Sequence, residues 1–124
     1  MTIRDMDAFV GGLWDWNCLS GCFGGGRISP TDVDGLVERN RHFLFLEAKP
    51  PGGELPTGQR ITLTNLSRQP NTTCIVINGD PKTENVTGIT RIENGVPTAI
   101  GDPSRAMLRT IVSAWYARAD GAKP

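Results

Sequence analysis

Three residues lying close together in the sequence have the types that metal-assisted hydrolysis uses: two acids, Asp34 and Glu47, and one lysine, Lys49. They lie in two runs rich in Val, Leu and Phe, residues 31–38 and 42–49, which read as neighbouring β-strands. Lys49 is two residues beyond Glu47, so the two-residue period of a strand places both side chains on one face. The chemistry then depends on whether the first strand brings Asp34 to the same face.

The register of this predicted hairpin follows from its turn. If Asn40 and Arg41 form a two-residue turn, Asp34 falls directly opposite Glu47. Opposed residues of an antiparallel pair share a face, with Cβ atoms about 4.5–5.5 Å apart. A four-residue turn keeps this pairing, whereas a three-residue loop breaks it. The other face of the hairpin is apolar and is expected to pack into a core through Val33, Val37, Leu44, Leu46 and Ala48.

Two carboxylates held so close repel each other unless a cation lies between them. A hard divalent ion with oxygen ligands, Mg²⁺ or Mn²⁺, fits Asp34 and Glu47, and the carbonyl of Ala48 could complete its shell. Such an ion acidifies a bound water and neutralises charge on phosphoryl oxygens, while Lys49 could orient that water. The alternative is a surface hairpin whose acids and lysine form weak ion pairs. Spacing alone leaves both interpretations open.

The first half of the chain predicts further elements around this hairpin. Residues 3–16 have the apolar spacing of an amphipathic helix, interrupted by two glycines. Residues 59–66 are ambiguous, because local alternation favours a strand while Thr57 as an N-cap allows a short helix. Residues 72–77 read as a buried strand.

The second half predicts a hairpin followed by a helix. Asn94-Gly95, between the runs 86–92 and 96–100, is a strong signal for a two-residue hairpin turn. Asp102-Pro103 is typical of a helix start, with an acid as N-cap and proline at the first helical position. The helix then has one apolar face, formed by Met107, Leu108, Ile111, Val112 and Trp115. The whole pattern predicts an α/β fold with a mixed central sheet flanked by helices.

Composition limits the classes of protein to be considered. A chain of 124 residues is expected to form a single domain, 1–124. Its 13 Lys+Arg balance 13 Asp+Glu, so any nucleic-acid-binding surface must be local. No run of 18 apolar residues is present, and the first residues carry acids where a signal peptide carries bases, so a cytoplasmic location without membrane contact is expected. Three cysteines fit free thiols better than a disulfide framework.

The stretch from Pro30 to Lys49, PTDVDGLVERNRHFLFLEAK, resembles the core motif of the PD-(D/E)XK nuclease superfamily. The resemblance covers about residues 28–66. Within this span the sequence is similar to Holliday-junction resolvases and small virus-type nuclease modules, and the wider sequence also resembles small bacteriophage proteins. It implies a restriction-endonuclease-like αβββαβ core. Matched to the motif, Asp34, Glu47 and Lys49 are the catalytic set, and Asp32 is a second candidate for the motif aspartate. The resemblance also implies auxiliary roles for Gln59, which would open a helix at 59–66, and for Asp15 on the first helix.

The resemblance therefore implies a phage-encoded, Mg²⁺-dependent deoxyribonuclease acting as an endonuclease in the host-cell cytoplasm. DNA would be its partner, with Arg27, Arg41 and Arg60 as candidates for phosphate contacts. With so few cations a homodimer would help DNA binding. The alternative from another class is a non-catalytic phage protein on the same fold that binds and inhibits a host protein or DNA-processing complex.

Overall fold

The computed structural model describes Gly12 and residues 14–123, and it divides the chain into two compact units, one ending at Asp32 and one beginning at Val33. The first unit consists of loops around a 3-10 turn, Asn17–Leu19, with the rings of Trp14 and Trp16 5.6 Å apart. The helix expected over residues 3–16 lies largely outside the described residues, and residues 14–16 are not helical.

The second unit is an α/β fold with a five-stranded mixed sheet and two helices. In the sheet the strands follow their sequence order, with the second and third parallel and every other neighbouring pair antiparallel. The elements are β1 (Gly35–Arg39), β2 (His42–Lys49), α1 (Thr57–Ser67), β3 (Thr72–Asp80), β4 (Asn85–Glu93), β5 (Val96–Ala99) and α2 (Arg105–Gly121).

The β1–β2 hairpin has the register that a two-residue turn predicts. Arg39 pairs with His42 and Gly35 with Leu46. Asn40 and Arg41 have φ values of 49° and 66°, the pair of positive angles that defines a type I′ turn and matches the twist of the strands. The predicted turn is therefore confirmed. The predicted first strand is wrong at its start, since β1 begins at Gly35 rather than residue 31.

Side chains anchor this turn to the end of α2. The Asn40 amide donates to the carbonyls of Ala119 and Asp120, at 3.0 and 3.2 Å. Arg39 forms an ion pair with the Asp120 carboxylate at 2.6 Å, and this hydrogen-bonded contact raises the pKa of the Arg39 guanidinium. Carbonyls at a helix C-terminus lack partners inside the helix, so the Asn40 amide caps α2 while fixing the turn.

The two faces of the sheet pack against different helices. Leu44 and Ile75 lie with Trp115 and Ala119 of α2 in one buried cluster, and Leu46 packs against it. On the other face Cys74 and Val76 pack with Leu63 of α1 and Ile92, and Phe45 lies against them. Because strand residues alternate, Phe45, Glu47 and Lys49 lie on the α1 face. The apolar face predicted for the hairpin is confirmed for Leu44 and Leu46 and is wrong for Val33, Val37 and Ala48, which are exposed.

Residues 59–66 form a helix, not the strand that local alternation favours. The reason is topological: β2 and β3 are parallel, and a parallel pair needs a crossover, for which a helix is the usual element. Thr57 is the first residue of α1 rather than its N-cap. Helix α1 packs mainly over β3 and β4, so β1 and β2 lie beside it rather than beneath it.

The second hairpin and the last helix follow the prediction with one correction. Asn94 and Gly95, with φ values of 51° and 79°, form the β4–β5 turn as predicted. Helix α2 begins at Arg105, and its N-cap is Ser104, whose Oγ accepts from the Met107 N–H at 3.0 Å. The predicted start at Asp102 is early because Asp102 has a left-handed φ of 52°. None of the described helices is long and apolar enough to span a bilayer.

Candidate functional site

The open end of the β1–β2 hairpin carries the first candidate acid. Asp34 precedes β1, and its Oδ2 accepts a hydrogen bond of 2.9 Å from the backbone N–H of Ala48. The carboxylate thus takes the ladder position that a backbone carbonyl of a longer β1 would occupy. This bond places the Asp34 carboxylate against β2 at the residue that follows Glu47. It also explains why the ladder stops at Gly35.

Glu47 and Lys49 lie next to each other on the α1 face of β2, as the strand period predicts. Lys49 Nζ is 3.3 Å from Glu47 Oε1. Glu47 is only 5% exposed, whereas the Lys49 side chain is 21% exposed. The flanking positions on this face are apolar, with Phe45 two residues earlier and Val76 opposite on β3. A charged pair in such a position is costly to desolvate, and an apolar pair of similar volume would be at least as stable.

Asn78 is a further part of this site that the sequence analysis missed. It pairs with Lys49 across the parallel ladder, and its amide donates to the carbonyls of Pro50 and Gly53, at 3.0 and 2.8 Å. These bonds hold the loop that follows Lys49 against the end of β3. The available signal was an amide directly after the apolar run TTCIVI; the predicted strand ends at residue 77, whereas β3 continues through Asn78 to Asp80.

The oxygen atoms at this end of the hairpin suit a hard divalent cation. In an antiparallel ladder the N–H and C=O of one residue point to the same neighbour, so the Ala48 carbonyl is directed to the side on which Asp34 lies. Two carboxylates and this carbonyl are the donor types that Mg²⁺ and Mn²⁺ prefer. Within the part of the chain that the structure describes, no group of three or more His, Cys, Asp or Glu side chains could hold an ion. The donor set is therefore small, and water or a phosphate oxygen would have to supply the remaining ligands.

The auxiliary residues of α1 lie on the same face of the sheet as Glu47. Gln59 and Arg60 are in the first turn of the helix, with Gln59 half-buried and Arg60 exposed. Arg60 borders a pocket of about 340 Å³ whose floor includes Val76 and Asn78. These two β3 residues are the ladder partners of Glu47 and Lys49, so the pocket begins one strand away from the proposed catalytic set.

Of the remaining predicted residues, Arg41 is not brought to this set, and the others belong to the first unit. Arg41 lies in the turn at the closed end of the hairpin, and its N–H donates to Glu38. Asp15, Arg27 and Asp32 belong to the first unit, where the carboxylate of Asp15 accepts hydrogen bonds from Asn17. The β1–β2 ladder does not extend to Asp32, so Lys49 has no ladder partner there.

Cys74 lies on the α1 face, but its thiol is not available as a metal ligand or a nucleophile. Its Sγ is fully buried and donates to the Leu63 carbonyl at 3.4 Å. Burial raises the pKa of the Cys74 thiol to about 11, so it stays protonated near neutral pH. The thiolate, which binds metals and attacks electrophiles, is therefore disfavoured.

Comparisons of the chain with models of protein families, with curated proteins and with solved structures find no match. Asp34 and Glu47 are acids, and the Lys49 ammonium group lies beside Glu47.

Proposed function

We propose that the chain is a metal-dependent phosphodiesterase that cuts DNA as an endonuclease. The observation that carries the proposal is the convergence of the three motif residues: Asp34 is bonded to the residue after Glu47, and Glu47 is ion-paired with Lys49. Their spacing in the sequence resembles the PD-(D/E)XK motif. The order of hairpin, helix and parallel strand is also what the second half of an αβββαβ core requires, which supports a restriction-endonuclease-like architecture.

The residues have distinct roles in this proposal. Asp34 and Glu47, with the Ala48 carbonyl, would hold Mg²⁺ or Mn²⁺, which supplies acidification of water and neutralisation of phosphate charge. Lys49 sits beside Glu47 and is partly open to solvent, so its ammonium group can orient the attacking water and stabilise charge on the phosphate. Arg60 borders the adjoining pocket and is positioned to contact a neighbouring phosphate. A phage origin, and a homodimer that doubles the number of arginines available for phosphate contacts, belong to the same proposal.

A second candidate is a non-catalytic protein that binds and inhibits a host protein. The observation favouring it is the burial of Glu47, whose carboxylate is held by Lys49 rather than presented to solvent. In this case the pair would be a structural ion pair and the acids would have no catalytic consequence.

One assay separates the two candidates. Supercoiled, linear, branched and single-stranded DNA are incubated with the protein in Mg²⁺, in Mn²⁺ and in EDTA. Glu47→Gln and Lys49→Met are compared with Glu38→Gln, a matched control at an exposed acid near the closed end of the hairpin, where the glutamine oxygen can still accept the Arg41 N–H. The proposal expects metal-dependent cleavage by the native chain and by the control, reduced about a hundredfold or more in the two site variants. No cleavage of any substrate rejects the enzyme, and equal cleavage by Glu47→Gln identifies a contaminating nuclease.

A further inference from the structure

A second polar cleft opens at the other end of the sheet, where the closed end of the β1–β2 hairpin meets the last turns of α2. It has a volume of about 500 Å³ and is lined by residues of the second unit only. Three arginines from three different elements converge on it: Arg68 after α1, Arg91 on β4 and Arg118 on α2. Their separation in the sequence explains why no local pattern placed the three together.

The charges in this cleft do not balance. Among the described residues that line it, Glu93 is the one acid, and its carboxylate is engaged by Arg91 at 3.5 Å. Within residues 14–123, neither Arg68 nor Arg118 has a carboxylate at ion-pair distance. The lining therefore carries an excess of two positive charges on a chain whose formal net charge is zero. The cleft is therefore a locally positive surface.

Two of the groups at the cleft are held in position before any ligand arrives. The guanidinium of Arg68 lies over the β4–β5 turn so closely that a Cβ at Gly95 would collide with it. His42 is bonded through Nδ1 to the Asn40 carbonyl at 3.0 Å. Since a carbonyl only accepts, Nδ1 carries the proton and Nε2 is the ring nitrogen left for other contacts. The buried ring of Trp115 forms part of the wall.

We infer that this cleft binds the phosphoryl groups of a polyanionic ligand. Guanidinium groups match the geometry of phosphate oxygens and bind them with paired hydrogen bonds. Two arginines without carboxylate partners, beside a third, fit a ligand with more than one phosphate. The open polar cleft suits a hydrated, charged ligand rather than an apolar one. A nucleic-acid backbone and a small polyphosphate share this chemistry.

The cleft is separate from the site of Asp34, Glu47 and Lys49. His42 and Glu47 are five residues apart on β2, so the two places lie about 16 Å from each other along the strand. A DNA strand in a duplex presents one phosphate per 3.4 Å of axis, so this separation corresponds to about five phosphates. The inference goes beyond the proposed function and does not depend on cleavage.

The test measures binding in EDTA, where metal-dependent cleavage does not occur. Isothermal titration with pyrophosphate and fluorescence anisotropy with labelled single-stranded and duplex oligonucleotides are performed at low salt. The native chain is compared with Arg68→Gln and Arg118→Gln, and with Arg109→Gln as a matched control, because Arg109 is an exposed arginine of α2 that does not line the cleft. Each cleft variant is expected to weaken binding about tenfold, and the control to leave it unchanged.

The ligand source is read from the same titrations. A nucleic-acid backbone is identified by tight oligonucleotide binding with a steep salt dependence. The slope of the log binding constant against log salt concentration should then fall by about one unit for each arginine removed. A small polyphosphate is identified if pyrophosphate binds as tightly as the oligonucleotides do. In both cases the indole N–H signal of Trp115 shifts in the ¹H–¹⁵N spectrum. Absence of binding by every probe, or equal weakening by Arg109→Gln, overturns the inference, whereas loss of cleavage in Glu47→Gln with binding intact leaves it standing.

Discussion

The Asp34 carboxylate accepts the backbone N–H of Ala48 at 2.9 Å, at the point where the β1–β2 ladder ends. One side chain therefore has two uses: it closes the ladder as a backbone carbonyl would, and it holds a negative charge against Ala48, the residue that follows Glu47. Measuring both the stability and the cleavage activity of variants at Asp34 separates the two uses.

Asp34→Asn is expected to keep the hydrogen bond, because the amide oxygen accepts from the same N–H, and to remain within about 0.5 kcal/mol of native stability. Asp34→Ala loses the bond and is expected to be less stable by about 1 kcal/mol. Both are expected to lose metal-dependent cleavage, since neither keeps the charge. Urea unfolding and the cleavage assay measure the two effects. Full activity in Asp34→Asn would remove Asp34 from the metal site.

Lys49→Met leaves the Glu47 carboxylate buried without its partner. We expect the free energy of unfolding to fall by about 1–3 kcal/mol, less than for a fully buried pair because Lys49 retains some contact with solvent. The double variant Glu47→Met/Lys49→Met is expected to recover native stability or exceed it while remaining inactive. A double-mutant cycle from urea unfolding gives the coupling between the two residues. A double variant as unstable as Lys49→Met would show that the pair contributes to the fold instead.

The type I′ turn gives opposite expectations for its two residues. Arg41 has a left-handed φ of 66°, so Arg41→Gly is expected to stabilise the protein by about 0.5 kcal/mol after the entropy cost of glycine is subtracted. Asn40→Gly also suits the turn but removes the amide that caps α2, and a loss of about 1–2 kcal/mol is expected. Thermal unfolding of the two glycine variants compares them directly. Equal effects of both would show that the cap contributes nothing.

Cys74 is expected to be the one unreactive thiol of the three. Cys18 and Cys22 are exposed, so a thiol reagent at pH 8 should modify two cysteines in the native protein and three in guanidinium. Burial favours the neutral thiol and raises its pKa from 9.0 to about 11 in the folded state. This contribution to stability is full below pH 9 and is lost as pH rises through 11. The free energy of unfolding of the native chain, relative to Cys74→Ala, should therefore fall between pH 9 and pH 11. Rapid modification of all three thiols in the native protein would contradict the burial of Cys74.

Local patterns predicted the hairpins of this fold better than they predicted its helix boundaries. Asn40-Arg41 and Asn94-Gly95 form the turns that were expected, and alternation placed Glu47 and Lys49 on one face. Turn chemistry and the strand period act over a few residues, so they are readable without the rest of the chain. The helix at 57–67 was ambiguous locally, because its conformation is decided by the parallel pairing of strands on either side.

The candidate site was predictable in its residue types and not in its supports. The register of the hairpin was readable, although the ladder ends at Gly35 and Leu46, one pair short of the predicted Asp34–Glu47 pair. The hydrogen bond that Asp34 accepts from Ala48 was not readable. The roles of Asn78 at the loop after Lys49 and of Arg118 in the basic cleft arise from contacts between elements distant in sequence. Such contacts appear only when the sheet and α2 are assembled.

The clamp between Asn40 and the end of α2 also determines when, during synthesis, the hairpin becomes fixed. Its partners lie 79 and 80 residues further along the chain, so a ribosome-bound chain can close the β1–β2 turn but not anchor it. Anchoring waits until Asp120 has left the exit tunnel and α2 has folded onto the sheet. The closed end of the hairpin is therefore anchored late, whereas the contacts of Asp34 with Ala48 and of Glu47 with Lys49 lie within residues 34–49 and do not need α2.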